Sequence, residues 1–409
     1  MMKGNWRQSA SIILAAPRPV PTPRFAAPET GQEPFGGVAV RKETAPQTTR
    51  QPPVSDLLAF VVQRSSKARF MPRAFVFPGG VIERAVDCDR FWADRQREVE
   101  GVSSDGAWKQ RLEQVTSFPQ PRPPIYDEYR HNDAVMPAEW ALRVCAAREL
   151  YEECGIVPVV DVKTGEAKVL SVAELDGGHG ELALFQNAQT VARDNATAFV
   201  DLFRRSERYA LNFTALVEWS NWLTPRLGVY NRRFDTIFFL LTVNDCPKHK
   251  LCDEELQGAQ WTSPVNILRE GYYGSAPVPP PQVYELSRLA RFETCGELEE
   301  FAAARAARAG MVRYCPQMIF TSDAVRVTLF PGDDHYELGT KENPPEMIEE
   351  RKLDMSADEL RQQASLLHRA EFRSLDGQER GQTCPWTRWR IYAGSFKDGS
   401  DHIAPISEP

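Results

Sequence analysis

Neither a C-x-x-C pair nor a long apolar run occurs in this 409-residue chain, and histidine is scarce at six residues. The eight cysteines (Cys88, Cys145, Cys154, Cys246, Cys252, Cys295, Cys315 and Cys384) lack the paired spacing of a zinc ribbon or a thioredoxin-type motif. A chain of this size does not need disulfide staples, so they read as reduced thiols of an intracellular protein. Cys246, His249 and Cys252 approach a zinc pattern, but no second ligand pair accompanies them, and an ordinary loop is expected. A bilayer span needs roughly 20 apolar residues. The longest runs here, Ile12–Ala16 and Ile237–Leu241, are only strand-length. Positive charge is not in excess: the net charge of −7 argues against general nucleic-acid binding while leaving a local basic pocket open. Internal repeats are absent as well.

At 42% hydrophobic residues the chain can bury a core. Ser9–Ala16 reads as a buried strand. Lys3, Arg7, Arg18 and Arg24 precede the first acid, Glu29, in the manner of a mitochondrial presequence. The segment 17–53 is rich in proline, threonine and alanine and is expected to be a surface loop. Asp56–Arg64 and Ala74–Phe77 read as strands, the second ended by Pro78-Gly79-Gly80. Residues 81–136 are polar and irregular, and are expected to be a loop. A helix is predicted from about Pro137 to Cys154, stopped by Gly155. Further helices are expected at Ala196–Glu207, Gln282–Phe292, Glu297–Ala307 and Ala357–Arg369. Strands are expected at Thr214–Trp219, Arg233–Val243 and within Met318–Phe330. Elements mixed without regular β-α-β alternation suggest an α+β fold, an α/β/α sandwich.

On the helix Pro137–Cys154, Trp140, Val144, Ala147, Tyr151 and Cys154 form one apolar stripe. Glu149, Glu152 and Glu153 fall on roughly the opposite side, sharing one turn. Like charges so spaced repel, and a solvated acidic face is the bland explanation. A hard divalent cation would instead turn the cluster to use, because magnesium takes carboxylate oxygen and keeps waters or phosphates on its other positions. The run Arg148-Glu149-Leu150-Tyr151-Glu152-Glu153-Cys154-Gly155-Ile156 fits R-E-U-x-E-E-x-G-U, with U a bulky apolar residue.

This pattern resembles the second half of the Nudix box, and Phe77-Pro78-Gly79-Gly80 resembles its start. The chain departs from the family in spacing. Arg148 lies 68 positions after Gly80, against ~14 in the family pattern. The first box glutamate would fall on Trp140, while the nearby acids Glu83 and Glu139 are out of register. A long insertion within the box accounts for this, since closing a longer loop costs little when its ends stay close. Residues around Leu57-Leu58 and Gln63-Arg64-Ser65-Ser66 resemble the added signature of Nudix coenzyme A diphosphatases. Trp6–Ala16, Asn221–Pro225, Arg232–Leu240 and Pro279–Phe292 are similar to the peroxisomal branch of that family, which also splits its box.

The resemblance implies a Nudix fold with a mixed sheet, a long insertion in the box and a C-terminal extension. The expected division is 5–295 as the hydrolase domain with loop insertions at 17–53 and 81–136, then 296–335 as a helical and strand extension, then 336–409 as a polar tail. It makes Trp6–Ala16 part of the fold rather than a presequence. It also implies Mg2+- or Mn2+-dependent cleavage of coenzyme A and acyl-coenzyme A to adenosine 3′,5′-bisphosphate and (acyl-)4′-phosphopantetheine. Glu149, Glu152 and Glu153 would hold the metal, with Arg148 orienting a carboxylate. Glu254 or Glu255 would be the general base. Arg64, Lys67, Arg69, Arg73, Gly79 and Gly80 would meet the substrate, and Arg232 and Arg233 are a second cationic pair. Each arginine reads equally well as a solvent-exposed or structural residue. The aromatic group Trp219, Trp222, Tyr230, Phe234, Phe238 and Phe239 reads as core. Other readings are hydrolysis of a nucleotide sugar, dinucleotide or capped RNA, and a non-catalytic binding module. The family implies peroxisomal residence, whereas Ser407-Glu408-Pro409 is not of the S-K-L type, leaving cytoplasm or mitochondrion as alternatives.

Overall fold

The computed structural model describes residues 6–19, 55–68, 71–115, 117–128, 136–175, 180–226, 232–252, 255–340, 344–373, 386–393 and 405–409. Its centre is the strand Trp6–Pro17 (β1). Ala10, Ile12 and Leu14 enter one core while Ile13 and Ala15 enter another, so apolar residues run continuously in a strand covered on both faces. Leu57–Arg64 (β2) divides likewise, with Phe60 and Val62 on one side and Leu57, Ala59 and Val61 on the other. β1 and β2 pair antiparallel only where Ala15–Pro17 meets Leu57–Ala59. Beyond that they splay. Phe75–Val76 (β3) pairs with β2, and Gly79–Val81 (β4) pairs with β1.

Residues 81–136, expected to be a loop, instead hold four helices: Arg84–Asp87 (α1), Arg90–Val99 (α2), Asp105–Val115 (α3) and Ile125–Glu128 (α4). Each is short and held by a few anchors rather than by a long apolar stripe, which is why periodicity missed them. In α2, the Asp89 carboxylate caps the start by accepting from the Phe91 N–H, 2.8 Å. Buried Trp92 stacks on Phe199 and Phe203, with ring centroids 5.6 and 5.5 Å apart.

Ala138–Cys154 (α5) follows; all its residues are buried except Glu149, whose side chain is still only 14% exposed. The expected division into an apolar and a solvated acidic face is therefore not what forms: this helix is enclosed on every side. Ile156–Asp161 (β5), Ala167–Ser171 (β6) and Tyr209–Leu211 (β7) make a three-stranded sheet, with Glu181–Asp194 (α6) and Thr197–Arg205 (α7) between them in sequence. Val217–Leu223 (β8), Arg233–Thr242 (β9) and Leu256–Thr262 (β10) return to the central sheet. Pro264–Tyr273 (α8), Pro280–Leu289 (α9) and Cys295–Arg308 (α10) then cover its other face, and Arg313–Tyr314 (β11) ends it.

The central sheet runs β10-β2-β1-β9-β8-β11 and is mixed: β1 pairs parallel with β9, and β9 antiparallel with β8. With α5, α6 and α7 on one core and α8, α9 and α10 on the other, it is an α/β/α sandwich.

The stretch 336–409, expected to be a polar tail, joins a second sheet. Gln317–Phe320 (β12), Arg326–Leu329 (β13), Arg351–Lys352 (β14), His368–Phe372 (β15) and Arg390–Ala393 (β16) order as β14-β12-β13-β15-β16. The helix expected at Ala357–Arg369 stops at Gln362 (α11), and β15 begins at His368. Buried charge disguised this region: Arg369 is fully buried and forks onto Asp333 at 2.7 and 2.5 Å. A charged residue that is paired inside a fold looks polar in sequence. Among the described residues, no helix is long and apolar enough to cross a membrane.

Candidate active site

Gly155 stops α5 with φ at +69°, where a residue without a Cβ is unstrained. The last turn of a helix leaves carbonyls unmatched. Here Lys250 N–H donates to the Cys154 carbonyl at 2.8 Å, and Cys252 N–H to that of Glu153 at 3.0 Å. The loop of Cys246, His249 and Cys252 thus caps the helix with its backbone, while the His249 ring lies against Phe60, centroids 5.3 Å apart.

β4 crosses close over α5. A Cβ on Gly80 would overlap the Glu149 carboxylate, and one on Gly79 would overlap Ser11. The missing side chain of Gly80 lets the Glu149 carboxylate lie directly against β4. Gly79 N–H donates to Glu153 Oε2 at 3.0 Å.

Arg148 organises the centre. Its Nη1 donates to Glu149 Oε1 and Glu152 Oε2, both at 2.9 Å. Its Nε and Nη2 fork onto Asp87 at 2.9 and 3.0 Å, and Nη2 also meets the Val81 carbonyl. Asp87, the last residue of α1, was not singled out in the sequence. It lies at the start of the inserted stretch and fits no box position, so only its nearness to Gly79-Gly80 could have flagged it. Its backbone partner is the Glu83 N–H, 2.8 Å, which gives Glu83 a place beside the centre. Glu139 lies elsewhere, 3.6 Å from Arg122 in a buried group that includes Glu218 and Arg143.

Burial raises the carboxyls of this centre. Glu149 is pushed up to about 7, mainly by burial and then by Asp87 and Glu255, with Arg148 opposing. Glu152 is pushed up to about 8, again by burial, with repulsion from Glu149 and Asp87. Glu153 stands well above the usual range through burial, Glu149 and Glu255, eased by the Gly79 N–H. Burial also raises Asp87, with Arg148 opposing. Burial works against the charge of Arg148, yet Glu149 and Asp87 hold it ionised.

Glu149 and Glu153 open with Glu255 into a cavity of about 620 Å³. Arg64, Lys67, Gly79 and Gly80 line it as well. Glu152, one turn position away, stays turned toward Arg148 and does not line it. Arg73 is also off the cavity, its carbonyl accepting from Gln63. Arg232 reaches the cavity, whereas Arg233 donates to the Thr224 and Glu346 carbonyls. Arg69, Glu254 and Tyr230 lie outside the described residues.

β1 adds a set missed in the sequence: Arg7, Ser9 and Ser11 all face the cavity. Polar residues at every second position of an otherwise apolar strand were the available signal. Phe234, Thr236 and Phe238 do the same from β9. Trp219, Trp222, Phe238 and Phe239 are buried in the core as expected, and Trp222, Phe234 and Phe238 also wall the cavity.

The donor set suits a hard divalent cation. Glu149, Glu153 and Glu255 repel one another across the cavity, and Glu152 Oε1 is buried without a hydrogen-bond partner. Carboxylate oxygens are what such an ion takes. They make an open site rather than a cage. Among the described residues no group of three or more acidic, histidine or cysteine side chains is drawn together closely enough to hold an ion.

The family model described as the NUDT19 Nudix domain matches residues 6–289. Acyl-coenzyme A diphosphatase NUDT19 of Xenopus laevis is 32% identical over 333 residues, covering 81% of each chain. The Homo sapiens protein of the same name is 32% identical over 335 residues, covering 81% of this chain and 80% of its own. Putative nudix hydrolase 7 of Caenorhabditis elegans is 26% identical over 335 residues, covering 81% of this chain and 75% of its own. Nudix enzymes generally work with divalent metals. The split box, the mixed sheet and the family match agree: the chain is an enzyme of the Nudix hydrolase family, in the NUDT19 branch.

Proposed function

We propose that this enzyme hydrolyses the diphosphate of coenzyme A and its acyl esters, using magnesium or manganese, to adenosine 3′,5′-bisphosphate and (acyl-)4′-phosphopantetheine. One observation carries the reading: Glu149 and Glu153 meet Glu255 in a large cavity that also holds Arg7, Arg64, Lys67 and Arg232. Acids for a cation and cations for phosphates share one enclosure. The relatives' names supply the substrate class.

In this mechanism Glu149 and Glu153 hold the metal, and Glu152 supports them through Arg148. When bound, the ion supplies Lewis-acid stabilisation of the diphosphate oxygens. Arg148, fixed by Asp87, keeps the glutamates oriented. Glu255 takes the proton from the attacking water. The water oxygen bonds to one phosphorus as the bond to the bridging oxygen breaks, and the leaving phosphate carries the electron pair. Arg64 and Lys67 bind phosphate groups. Gly79 and Gly80 leave room for the substrate and carboxylates to meet.

The test incubates the protein with coenzyme A and magnesium and follows adenosine 3′,5′-bisphosphate by chromatography. Wild type should form it. Glu153→Gln should abolish it, and Glu255→Gln should slow it about 10²–10⁴-fold if this residue is the base. Product from a nucleotide sugar, a dinucleotide or capped RNA, with none from coenzyme A, would overturn the substrate assignment. The branch likeness also proposes a peroxisomal setting. Imaging the tagged protein beside a peroxisomal marker tests that, and a diffuse signal would overturn it.

A further inference from the structure

The family match ends at residue 289, yet the cavity does not. Met318 of β12, Thr328 of β13 and Trp386 also line it. Strand order in the central sheet gives the distance from the glycines to Trp222. From β4, which carries the glycines over Glu149, the sheet passes through β1 and β9 to β8, which carries Trp222. Three strand spacings amount to about 14 Å. Trp222 therefore stands about three strands from the glycines, and it packs on Phe330, two residues past Thr328, whose hydroxyl meets Met318; Trp386 lines the same cavity.

This part of the cavity is apolar and firmly built. Thr328 Oγ1 donates to Met318 Sδ at 3.2 Å, so its hydroxyl already has a partner. Trp222 Nε1 donates to buried Glu285 on α9 at 2.7 Å. One residue before Glu285, the Tyr284 hydroxyl meets His368 Nε2 of β15 at 2.6 Å. Trp222, Tyr284, Tyr314, Phe330 and His368 pack ring against ring. The second sheet is thus joined to α9 and β8 through a buried aromatic cluster and presents a fixed wall.

We propose that Met318 and Trp386 form the end wall for the acyl chain and set the chain length the enzyme accepts. This rests on the coenzyme A reading above. With the diphosphate at the glutamates, the pantetheine arm runs across β1 and β9 and delivers the thioester to Trp222. Each methylene buried there favours binding about fourfold, until the chain meets the wall.

The experiment measures kcat/KM for coenzyme A and for saturated acyl esters of increasing length, in wild type, Met318→Ala, Trp386→Ala and Trp386→Phe. Wild type should rise with length and then fall. The alanine variants should move the optimum at least two carbons longer while coenzyme A stays within about threefold of wild type. Trp386→Phe, the milder change, should move it in the same direction if an alanine variant fails to fold. An unmoved optimum in folded variants that still turn over coenzyme A would overturn this inference alone. Wild-type silence on coenzyme A and every ester would overturn the functional reading, and this inference with it.

Discussion

Arg148 shows what one buried cation does among acids. It is 2% exposed and satisfies Asp87, Glu149, Glu152 and the Val81 carbonyl together. Removing Asp87 leaves buried Arg148 N–H groups without their acceptors, which costs about 1–3 kcal/mol. Asp87→Ala is thus expected to lower unfolding stability by that order in a urea titration, and to lower kcat more than it raises KM. Stability unchanged within ~1 kcal/mol, the scatter of surface substitutions, would remove Asp87 from this role. A second expectation concerns pH. Glu149 and Glu152 titrate at about 7 and 8 when folded, against an ordinary value of 4.5. Between these values the folded state binds more protons than the unfolded chain. The contribution is therefore complete below pH 4.5 and is lost as pH rises through about 7 and 8. A cation held by ionised Glu149 reverses the trend, so magnesium should raise the melting temperature more at pH 8 than at pH 5. Equal shifts at both pH values would count against Glu149 as its ligand. Arg148 and its glutamates were readable because their spacing is local. Asp87 was not, because 61 positions separate it from Arg148 and only the folded chain closes that distance.

At the scale of elements, α5 and β4 make the site by close approach. Gly80→Ala would drive a Cβ into the Glu149 carboxylate. The expected outcome is a loss of kcat of about 10²-fold or more, since small misplacements near reacting groups are expensive in rate. Circular dichroism should meanwhile report the fold retained. Wild-type turnover in that variant would show that Glu149 tolerates displacement. The strands and helices with strong periodicity lay near their expected bounds: β9 runs Arg233–Thr242 where Arg233–Val243 was predicted, and α10 covers the predicted Glu297–Ala307. α1 to α4 did not, because short helices docked by single residues such as Trp92 leave little periodic trace.

For the whole molecule, the second sheet is the surprise. Leu329, Phe330, Ala370, Phe372 and Trp389 are nearly inaccessible, and several belong to the core shared with α8, α9 and α10. Ile406 N–H reaches the Ser287 carbonyl of α9 at 3.0 Å. A chain ended at residue 316 would expose this apolar surface, at a cost of roughly 25 cal/mol for each Å² left uncovered. It is expected to aggregate rather than persist as a smaller active enzyme, which size-exclusion chromatography would show. A monodisperse, active truncation would mean that the sheet is an accessory.

The sequence alone carried the family signature: the run Arg148–Ile156 fits R-E-U-x-E-E-x-G-U, and helical spacing puts Glu149, Glu152 and Glu153 on neighbouring turns without help from distant residues. It also determined the fold class, because buried strands and the glycines before α5 carry local signals. Tertiary structure decided which carboxylates face the cavity, that Arg148 pairs with Asp87, and that residues of β12 and β13 and Trp386 line the same cavity. Those outcomes depend on contacts between residues far apart in the chain, where burial inverts the usual meaning of a polar or charged side chain. An acid that would be solvated on an isolated helix becomes, inside this sandwich, a carboxyl raised by burial and poised for a cation.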